Sequence, residues 1–264
     1  MTYLLIAVAV YVVFVLLAQR WVLFPRYAAA PPGAGSPGHA YEVLERQTPA
    51  GVVEAIYRRG EGVSADRPGP LVIFAHGNAE LIDHNVAAMQ PYVEAGISVL
   101  LPEYRGYGRS AGSPSQRAIV EDFVAWRRRI LQRPEVDGER LIYHGRSLGG
   151  GVAAQLAKRH PPRGLILEST FTSIKAMAGR FLVPPLLVRD PFDTRRVLTE
   201  YDRPVLILHG NDDDVIPVVH AKRLANAAPD ARLVVLPGGH NTPLPDEPYW
   251  SAVFAYLDRL GMDP

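Results

Sequence analysis

Apolar residues along most of this chain occur in short runs that alternate with amphipathic segments. Runs such as LVIFA at 71–75 and VLIL at 205–208 have the length of buried β-strands. The segments between such runs carry apolar residues at helical spacing. The predicted strands are 41–47, 52–58, 71–75, 97–101, 140–144, 164–167, 205–208 and 233–236, and the predicted helices are 82–95, 115–132, 147–159, 218–227 and 248–260.

This order of elements predicts the fold class. Strands that alternate with helices indicate an α/β fold, with a mostly parallel central sheet and helices on both faces. The first two strands are the exception, because Pro49, Ala50 and Gly51 between them predict a hairpin. In parallel sheets the functional residues lie at the carboxyl ends of the strands. The loops that follow the strands are therefore where we expect the chemistry.

The first 24 residues follow a different pattern from the rest. They contain no charged side chain before Arg20, and Pro25 ends any helix that they form. About 20 apolar residues are enough to cross a bilayer, so residues 1–24 are predicted to be a single-pass transmembrane anchor. Two alternatives stay open, namely a cleaved signal peptide with its cleavage site at 28–30, and a buried core helix.

A stretch of small residues and prolines follows the apolar segment. Residues 25–40 are predicted to be a linker, and residues 41–264 are predicted to form the globular domain. Arg20 and Arg26 lie on the C-terminal side of the apolar segment. By the positive-inside rule, these two charges predict that the globular domain faces the cytoplasm.

Composition narrows the chemistry that the chain can perform. Its 264 residues accommodate one α/β domain and a tail. The formal net charge of +1 gives no reason to expect a nucleic acid partner. The absence of cysteine excludes disulfides, thiolate nucleophiles and thiolate metal sites.

The strongest chemical signal is the sequence GRSLG at 145–149. It follows a predicted strand and opens a predicted helix, which is the context of a nucleophile elbow. Gly145 and Gly149 lack side chains, so that strand and helix can approach while the Ser147 hydroxyl stands clear of the sheet. The Leu148 N–H lies at the start of the helix, where it can stabilise an oxyanion.

A nucleophilic serine needs a base, and the base needs an acid that orients it. His240 lies on a glycine loop after the last predicted strand and is the predicted base. The loop after the seventh predicted strand contains three consecutive aspartates. Spacing favours Asp213 as the acid, while Asp212, Asp214 and Glu168 remain alternatives.

A second oxyanion donor is expected in the loop after the strand at 71–75. The sequence HGNAE follows that strand, and we favour the backbone N–H of Asn78 over that of Ala79. Farther along, the sequence YRGYG at 104–108 could clamp a substrate. We favour the interpretation that it is a structural turn, with Arg105 paired internally.

The stretch at 170–204 is where a lid is expected. It is short and contains several prolines, so it allows one or two small helices and no separate cap domain. Its apolar cluster could line an acyl pocket, touch the membrane or cover the sheet, and covering the sheet is the default interpretation. The cluster consists of Phe181, Leu182, Val183, Leu186 and Leu187.

These motifs together resemble one branch of the α/β-hydrolase family. The branch is the membrane-anchored, serine-aminopeptidase-like group related to budding-emergence homologues of fission yeast and to human α/β-hydrolase-domain membrane proteins. The resemblance implies the α/β-hydrolase fold with a minimal lid. One departure is Glu103, where relatives usually have Asp, and we expect it to be structural. The motifs are HGNAE at 76–80, EYRGYGRSAGSPS at 103–115, GRSLGG at 145–150, ESTFTSI at 168–174, PFDT at 191–194, HGNDDDVIP at 209–217 and GGHN at 238–241.

The resemblance implies a triad of Ser147, Asp213 and His240, with an oxyanion hole formed by the Asn78 region and Leu148. We therefore expect a serine hydrolase that cleaves an ester, thioester or amide through an acyl-enzyme, with no metal and no organic cofactor. Membrane tethering and an apolar lid favour lipid-like esters or thioesters, so the expected partner is a small-molecule or lipid-like acyl substrate. The alternatives are an aminopeptidase-like peptidase and a catalytically inactive membrane-tethered scaffold.

Overall fold

The central feature of the fold is an eight-stranded β-sheet. The computed structural model describes residues 1–29, 40–181, 183–242, 244 and 246–262. The strands lie side by side in the order β1-β2-β4-β3-β5-β6-β7-β8. They are β1 Glu42–Thr48, β2 Gly51–Arg58, β3 Gly69–Ala75, β4 Ser98–Pro102, β5 Val136–Arg146, β6 Gly164–Glu168, β7 Val205–Gly210 and β8 Ala231–Leu236.

Strand directions match the predicted fold class. The first two strands form an antiparallel hairpin in which Thr48 pairs with Gly51, as the turn residues predict. The hairpin joins the sheet through an antiparallel pairing of β2 with β4. All other neighbouring strands are parallel. The carboxyl ends of six strands therefore meet at one edge of the sheet, and this edge carries the candidate site.

Nine α-helices are described, and the predicted helices are confirmed except at one place. The helices are α1 Thr2–Leu23, α2 Ile82–Asn85, α3 Gln90–Glu94, α4 Gln116–Ile130, α5 Leu148–Arg159, α6 Ile174–Ala178, α7 Thr194–Thr199, α8 Val219–Ala225 and α9 Asp246–Arg259. The predicted single helix at 82–95 is wrong, because it is divided into α2 and α3. Pro91 lies in the first turn of α3, and proline is tolerated there but interrupts a helix interior.

Helices cover both faces of the sheet. Along β3, Leu71 and Ile73 pack into one hydrophobic core, whereas Val72 and Phe74 pack into the other. This alternation follows from the two-residue period of a strand. Residues of α4 to α8 complete the first core, and residues of α2, α3 and α9 complete the second. A strand buried on both faces explains why its sequence is a continuous apolar run.

The N-terminal segment forms the single apolar helix α1, which is long and apolar enough to cross a membrane. Val15 is its one buried residue, so α1 is not a core helix. Residues 2–11 are exposed, whereas several residues of the second half are partly buried against the globular domain. The chain beyond α1 stays close to the domain, since Arg26 donates a hydrogen bond of 3.1 Å to the Gly112 carbonyl. Most of the predicted linker, residues 30–39, lies outside the described residues.

Candidate active site

The turn between β5 and α5 has the geometry of a nucleophile elbow. Ser147 has φ 53° and ψ −118°, a region that a residue with a side chain rarely occupies. A Cβ on Gly145 would lie 2.1 Å from the Gly149 carbonyl oxygen, and a Cβ on Gly149 would lie 1.9 Å from the Ala75 oxygen. Both positions therefore require glycine, as predicted, because strand and helix backbones touch there.

The structure brings the predicted serine, histidine and aspartate together. The Ser147 hydroxyl oxygen lies 2.9 Å from His240 Nε2. On the other side of the ring, His240 Nδ1 lies 2.8 Å from Asp213 Oδ2. The three residues come from the loops after β5, β8 and β7, and all three are buried. A proton on Nδ1 shared with the carboxylate leaves Nε2 free to accept the serine proton.

The carboxylate of Asp213 is held on both of its oxygens. Its Oδ1 accepts hydrogen bonds from the Val215 and Ile216 N–H groups at 3.0 and 2.6 Å. Burial alone would raise the pKa of Asp213, but hydrogen bonds from His209, His240 and the Ile216 N–H lower that pKa well below its ordinary value. The carboxylate is therefore charged at neutral pH and fixed in position.

The other candidate acids point elsewhere. Asp212 and Asp214 flank Asp213 but are exposed. Glu168 accepts a hydrogen bond of 2.8 Å from the Tyr249 hydroxyl, and its second oxygen lies 3.2 Å from Arg146 Nε. The choice among the three aspartates depends on which side chain turns inward, a feature that loop spacing alone does not fix.

The expected oxyanion donors lie next to the serine. Leu148 is the first residue of α5, and the first N–H groups of a helix have no acceptor within the helix. Asn78 and Ala79 line the same cavity as the serine. The loop at Asn78 is held in place because its carbonyl accepts a hydrogen bond of 2.8 Å from the Tyr107 hydroxyl. Its side-chain amide also donates to the Leu23 carbonyl of α1 at 3.4 Å.

One contributor to the site is absent from the sequence predictions. Arg146, beside the serine, donates a 2.7 Å hydrogen bond to the His240 carbonyl and forms ion pairs with Glu80 and Glu168. Glu80 also accepts from the Gly77 N–H at 3.1 Å, which ties the predicted oxyanion loop to the same arginine. The elbow pattern allows any residue at position 146. Only the positive charge of the arginine could therefore have indicated a role in the site.

Glu103 has the structural role that we expected. Its carboxylate is buried, lies 2.8 Å from His76 Nε2 and accepts a 3.2 Å hydrogen bond from the Ile82 N–H. It therefore supports the loop that presents the predicted oxyanion donor. The internal pairing of Arg105 is also confirmed, since its Nη2 donates to Asp122 at 2.9 Å.

The serine and histidine open into a cavity of about 790 Å³. Its lining is mostly apolar, with side chains from the loop after β6, from α6 and from the aspartate loop. The second half of α1 forms a further side of the cavity. No group of His, Asp and Glu side chains that could hold a metal occurs among the residues described. Lining residues of the domain include Phe171, Ile174, Met177, Val183 and Ile216.

The predicted minimal lid is confirmed as α6 followed by two short 3₁₀ turns, Gly179–Phe181 and Pro185–Leu187. Its predicted apolar cluster does not act as one unit. Val183 lines the cavity, whereas Leu186 is 92% exposed and covers nothing. Leu182 and the side chain of Phe181 lie outside the described residues.

Comparison with known proteins adds evidence from sequence. The family described as Hydrolase_4, serine aminopeptidase, S33, matches residues 66–190. The chain is 35% identical over 218 residues to the α/β hydrolase domain-containing protein WAV2 of Arabidopsis thaliana, which covers 72% of this chain and 70% of WAV2. It is 33% identical over 186 residues to the lysophosphatidylserine lipase ABHD12 of Danio rerio, covering 62% of this chain and 48% of that protein.

Solved structures share the fold. An esterase from Thermogutta terrifontis matches with a TM-score of 0.65 at 20% identity, over 83% of this chain and 99% of that chain. A likeness at this identity concerns the architecture alone. The strand order, the elbow between β5 and α5 and the similarity to WAV2 agree with one another. On this evidence the chain belongs to the α/β-hydrolase superfamily and is a hydrolase.

Proposed function

We propose that this hydrolase is a serine hydrolase in which Ser147, His240 and Asp213 form the catalytic triad. One observation carries the proposal. A continuous hydrogen-bonded line joins the serine oxygen to His240 at 2.9 Å and His240 to Asp213 at 2.8 Å. The serine at its start is held in a strained elbow that presents the hydroxyl to an open cavity.

The proposed reaction is acyl transfer in two steps. His240 Nε2 takes the hydroxyl proton as Ser147 Oγ attacks the substrate carbonyl, and the Leu148 and Asn78 N–H groups stabilise the oxyanion. The imidazolium then gives its proton to the departing alcohol, thiol or amine. Water releases the acyl group with the same base. Asp213 fixes the histidine tautomer and stabilises the imidazolium, while it stays ionised throughout.

The cavity supports an ester or thioester with an apolar acyl group as the substrate. ABHD12 of zebrafish is named as a lysophosphatidylserine lipase, and such an activity agrees with that class. The name of the matching family, serine aminopeptidase, favours a peptidase as the second candidate. An aminopeptidase has to bind an ammonium group. Among the described residues that line the cavity, Glu80 is the only carboxylate, and it already forms an ion pair with Arg146.

We also propose that α1 anchors the chain in a membrane and that residues 25–40 link it to a catalytic domain at 41–264. The proposal is supported by the length and apolar character of α1. The cytoplasmic location of the domain, inferred from Arg20 and Arg26, remains a prediction. The proposed partners are thus the membrane and an acyl substrate.

Hydrolysis of p-nitrophenyl butyrate by the full-length chain in detergent micelles tests the proposed triad. We expect His240→Ala to lower kcat by roughly 10³-fold or more, and Asp213→Asn to lower it by a comparable factor. Asp212→Asn, a neighbouring exposed aspartate, is the matched control and should stay within about twofold of wild type. Equal loss in both Asn variants would contradict the assignment of Asp213. No hydrolysis of any ester or aminoacyl amide by folded wild type would support the inactive scaffold.

A further inference from the structure

We propose that the second half of α1 is a wall of the acyl pocket, so that the apolar N-terminal helix itself selects substrates with a long acyl chain taken from the membrane. This inference rests on the proposed serine hydrolase function, because it identifies the substrate class of the same cavity. It gives α1 a role in specificity in addition to anchoring.

One stripe of the helix faces the cavity. The residues that line it recur at intervals of three and four, which is the spacing of a single helix face. Neighbouring positions on the other side are turned away, and Leu17 and Trp21 are 76% and 64% exposed. The stripe includes Phe14, Val15, Ala18, Gln19, Val22 and Leu23.

Polar contacts hold this part of α1 against the lid. The Gln19 side chain donates to the Leu187 carbonyl at 3.1 Å and accepts from the Arg189 N–H at 2.8 Å. Arg20 forms a bidentate ion pair with Asp190, in which Nε and Nη2 lie 2.6 and 3.2 Å from the two carboxylate oxygens. A helix that served only as a tether would need none of these contacts, because its apolar surface alone partitions into lipid.

The opposite edge of α1 contacts the predicted oxyanion loop. The Leu23 carbonyl accepts the 3.4 Å hydrogen bond from Asn78, and Phe24, which follows the helix, is buried in the same core as the elbow residue Leu148. The helix therefore closes the cavity between the lid and the serine. Without it, the apolar side chains of the lid would face solvent across an open groove.

The cavity separates polar from apolar groups. Its charged lining residues, Arg146 and Glu80, bind each other beside the catalytic histidine. The part of the lining that comes from α1, α6 and the adjoining loops is mostly apolar, with Tyr11 and Gln19 as the polar side chains of α1. A reacting carbonyl beside the serine and a hydrocarbon chain along α1 would match this division.

The geometry of α1 also accounts for how such a chain would enter. Residues 2–10 are exposed and extend about 14 Å, close to half of a hydrocarbon core of about 30 Å. If the exposed part inserts to the bilayer midplane, the docked part begins at the surface of the same leaflet. The cavity wall is then continuous with the membrane-embedded surface.

Two tryptophan substitutions at adjacent positions of α1 test the inference. Ala18→Trp would fill the pocket from its wall, whereas Leu17→Trp would place the same side chain on the outer face. The full-length variants are compared in identical mixed micelles on p-nitrophenyl esters with acyl chains of 2 to 16 carbons. Each ester partitions between water and micelles to the same extent in both assays. The ratio of the two variants' rates therefore reports only the effect of the substitution on the pocket.

We expect Ala18→Trp to lower kcat/KM for chains of ten or more carbons at least about tenfold more than it lowers kcat/KM for acetate. Leu17→Trp should leave the whole profile unchanged, and Ala18→Leu should give an intermediate shift. Retained acetate hydrolysis shows that the site is folded. Identical profiles for the two tryptophan variants would overturn the inference while the proposed function stands. No Ser147-dependent turnover of any ester by wild type would contradict both.

Discussion

Several loops of the site are held together by Arg146, a side chain that the elbow motif does not specify. It joins the elbow to the His240 loop, to Glu80 of the predicted oxyanion loop and to Glu168 at the end of β6. The arginine touches no reacting atom in the proposed mechanism. We therefore propose it as a positioning residue, which holds the His240 loop against the elbow through the hydrogen bond to the His240 carbonyl.

Replacing Arg146 should therefore affect turnover more than binding. We expect Arg146→Ala to lower kcat on the order of 10- to 100-fold with little change in KM, since a displacement near 1 Å can have that effect. Arg146→Lys should restore only part of the loss, because a compact ammonium cannot span the three acceptors that the planar guanidinium reaches. Steady-state kinetics on p-nitrophenyl butyrate give both constants. A rise in KM at unchanged kcat would show a binding role instead.

The elbow glycines permit a sharper test of local packing. A Cβ at Gly149 would meet the Ala75 carbonyl at 1.9 Å, whereas a Cβ at Gly179 in the lid has nothing within 4 Å. We expect Gly149→Ala to lower the free energy of unfolding by about 3 kcal/mol or more. Gly179→Ala, the matched control, should leave it within about 1 kcal/mol. Urea unfolding compares the two, and equal stabilities would contradict the packing described here.

At the residue level, the serine and the histidine that the structure brings together could be predicted from sequence, because each has a distinctive neighbourhood of glycines after a strand. The aspartate was harder, since three adjacent aspartates share one loop. Asp213 is distinguished by burial and by its hydrogen bonds to two backbone N–H groups. Such contacts arise only when the loop folds against the rest of the domain.

Strands were predictable from sequence where burial on both faces requires a continuous apolar run, as in β3 and β7. Their ends were less predictable, because β5 extends from Val136 to Arg146 and only its apolar second half was predicted as strand. Its first half is partly exposed and carries polar residues. The division of 82–95 into α2 and α3 also escaped prediction, since apolar spacing alone continued across Pro91.

Helix α4 begins where its sequence predicts, and the start can be tested. The Ser115 hydroxyl accepts a 3.2 Å hydrogen bond from the Ala118 N–H and so caps the helix. Ser115→Ala should lower the free energy of unfolding by about 1 kcal/mol. Ser113→Ala, two residues earlier and exposed, should have no measurable effect. The cap assignment is wrong if the two variants unfold at the same urea concentration.

For the whole molecule, hydropathy predicted an apolar helix long enough for a membrane but not that half of it would pack on the domain. Hydropathy measures the preference of a segment for lipid and carries no information about a tertiary partner. The stripe of α1 that lines the cavity is as apolar as its outer face. Only the folded arrangement separates the two faces.

The free half of α1 should determine membrane association independently of the site. Val8→Arg and Val10→Arg together place two charges in this exposed half, at a cost of roughly 2.5 to 3.5 kcal/mol each near the bilayer centre. We expect weaker flotation with phospholipid vesicles and p-nitrophenyl acetate hydrolysis within about twofold of wild type. The double variant Val8→Leu and Val10→Leu is the control. Unchanged flotation of the arginine variant would argue against the anchor.

Covalent labelling tests most directly whether Ser147 is a nucleophile that His240 activates. Full-length protein is treated with an alkyl fluorophosphonate, and the modified peptide is identified by mass spectrometry. We predict a single adduct on Ser147. The adduct should be absent from Ser147→Ala, strongly reduced in His240→Ala and retained in Ser113→Ala. Folded wild type that takes up no phosphonate, or takes it up equally after Ser147→Ala, would contradict the account.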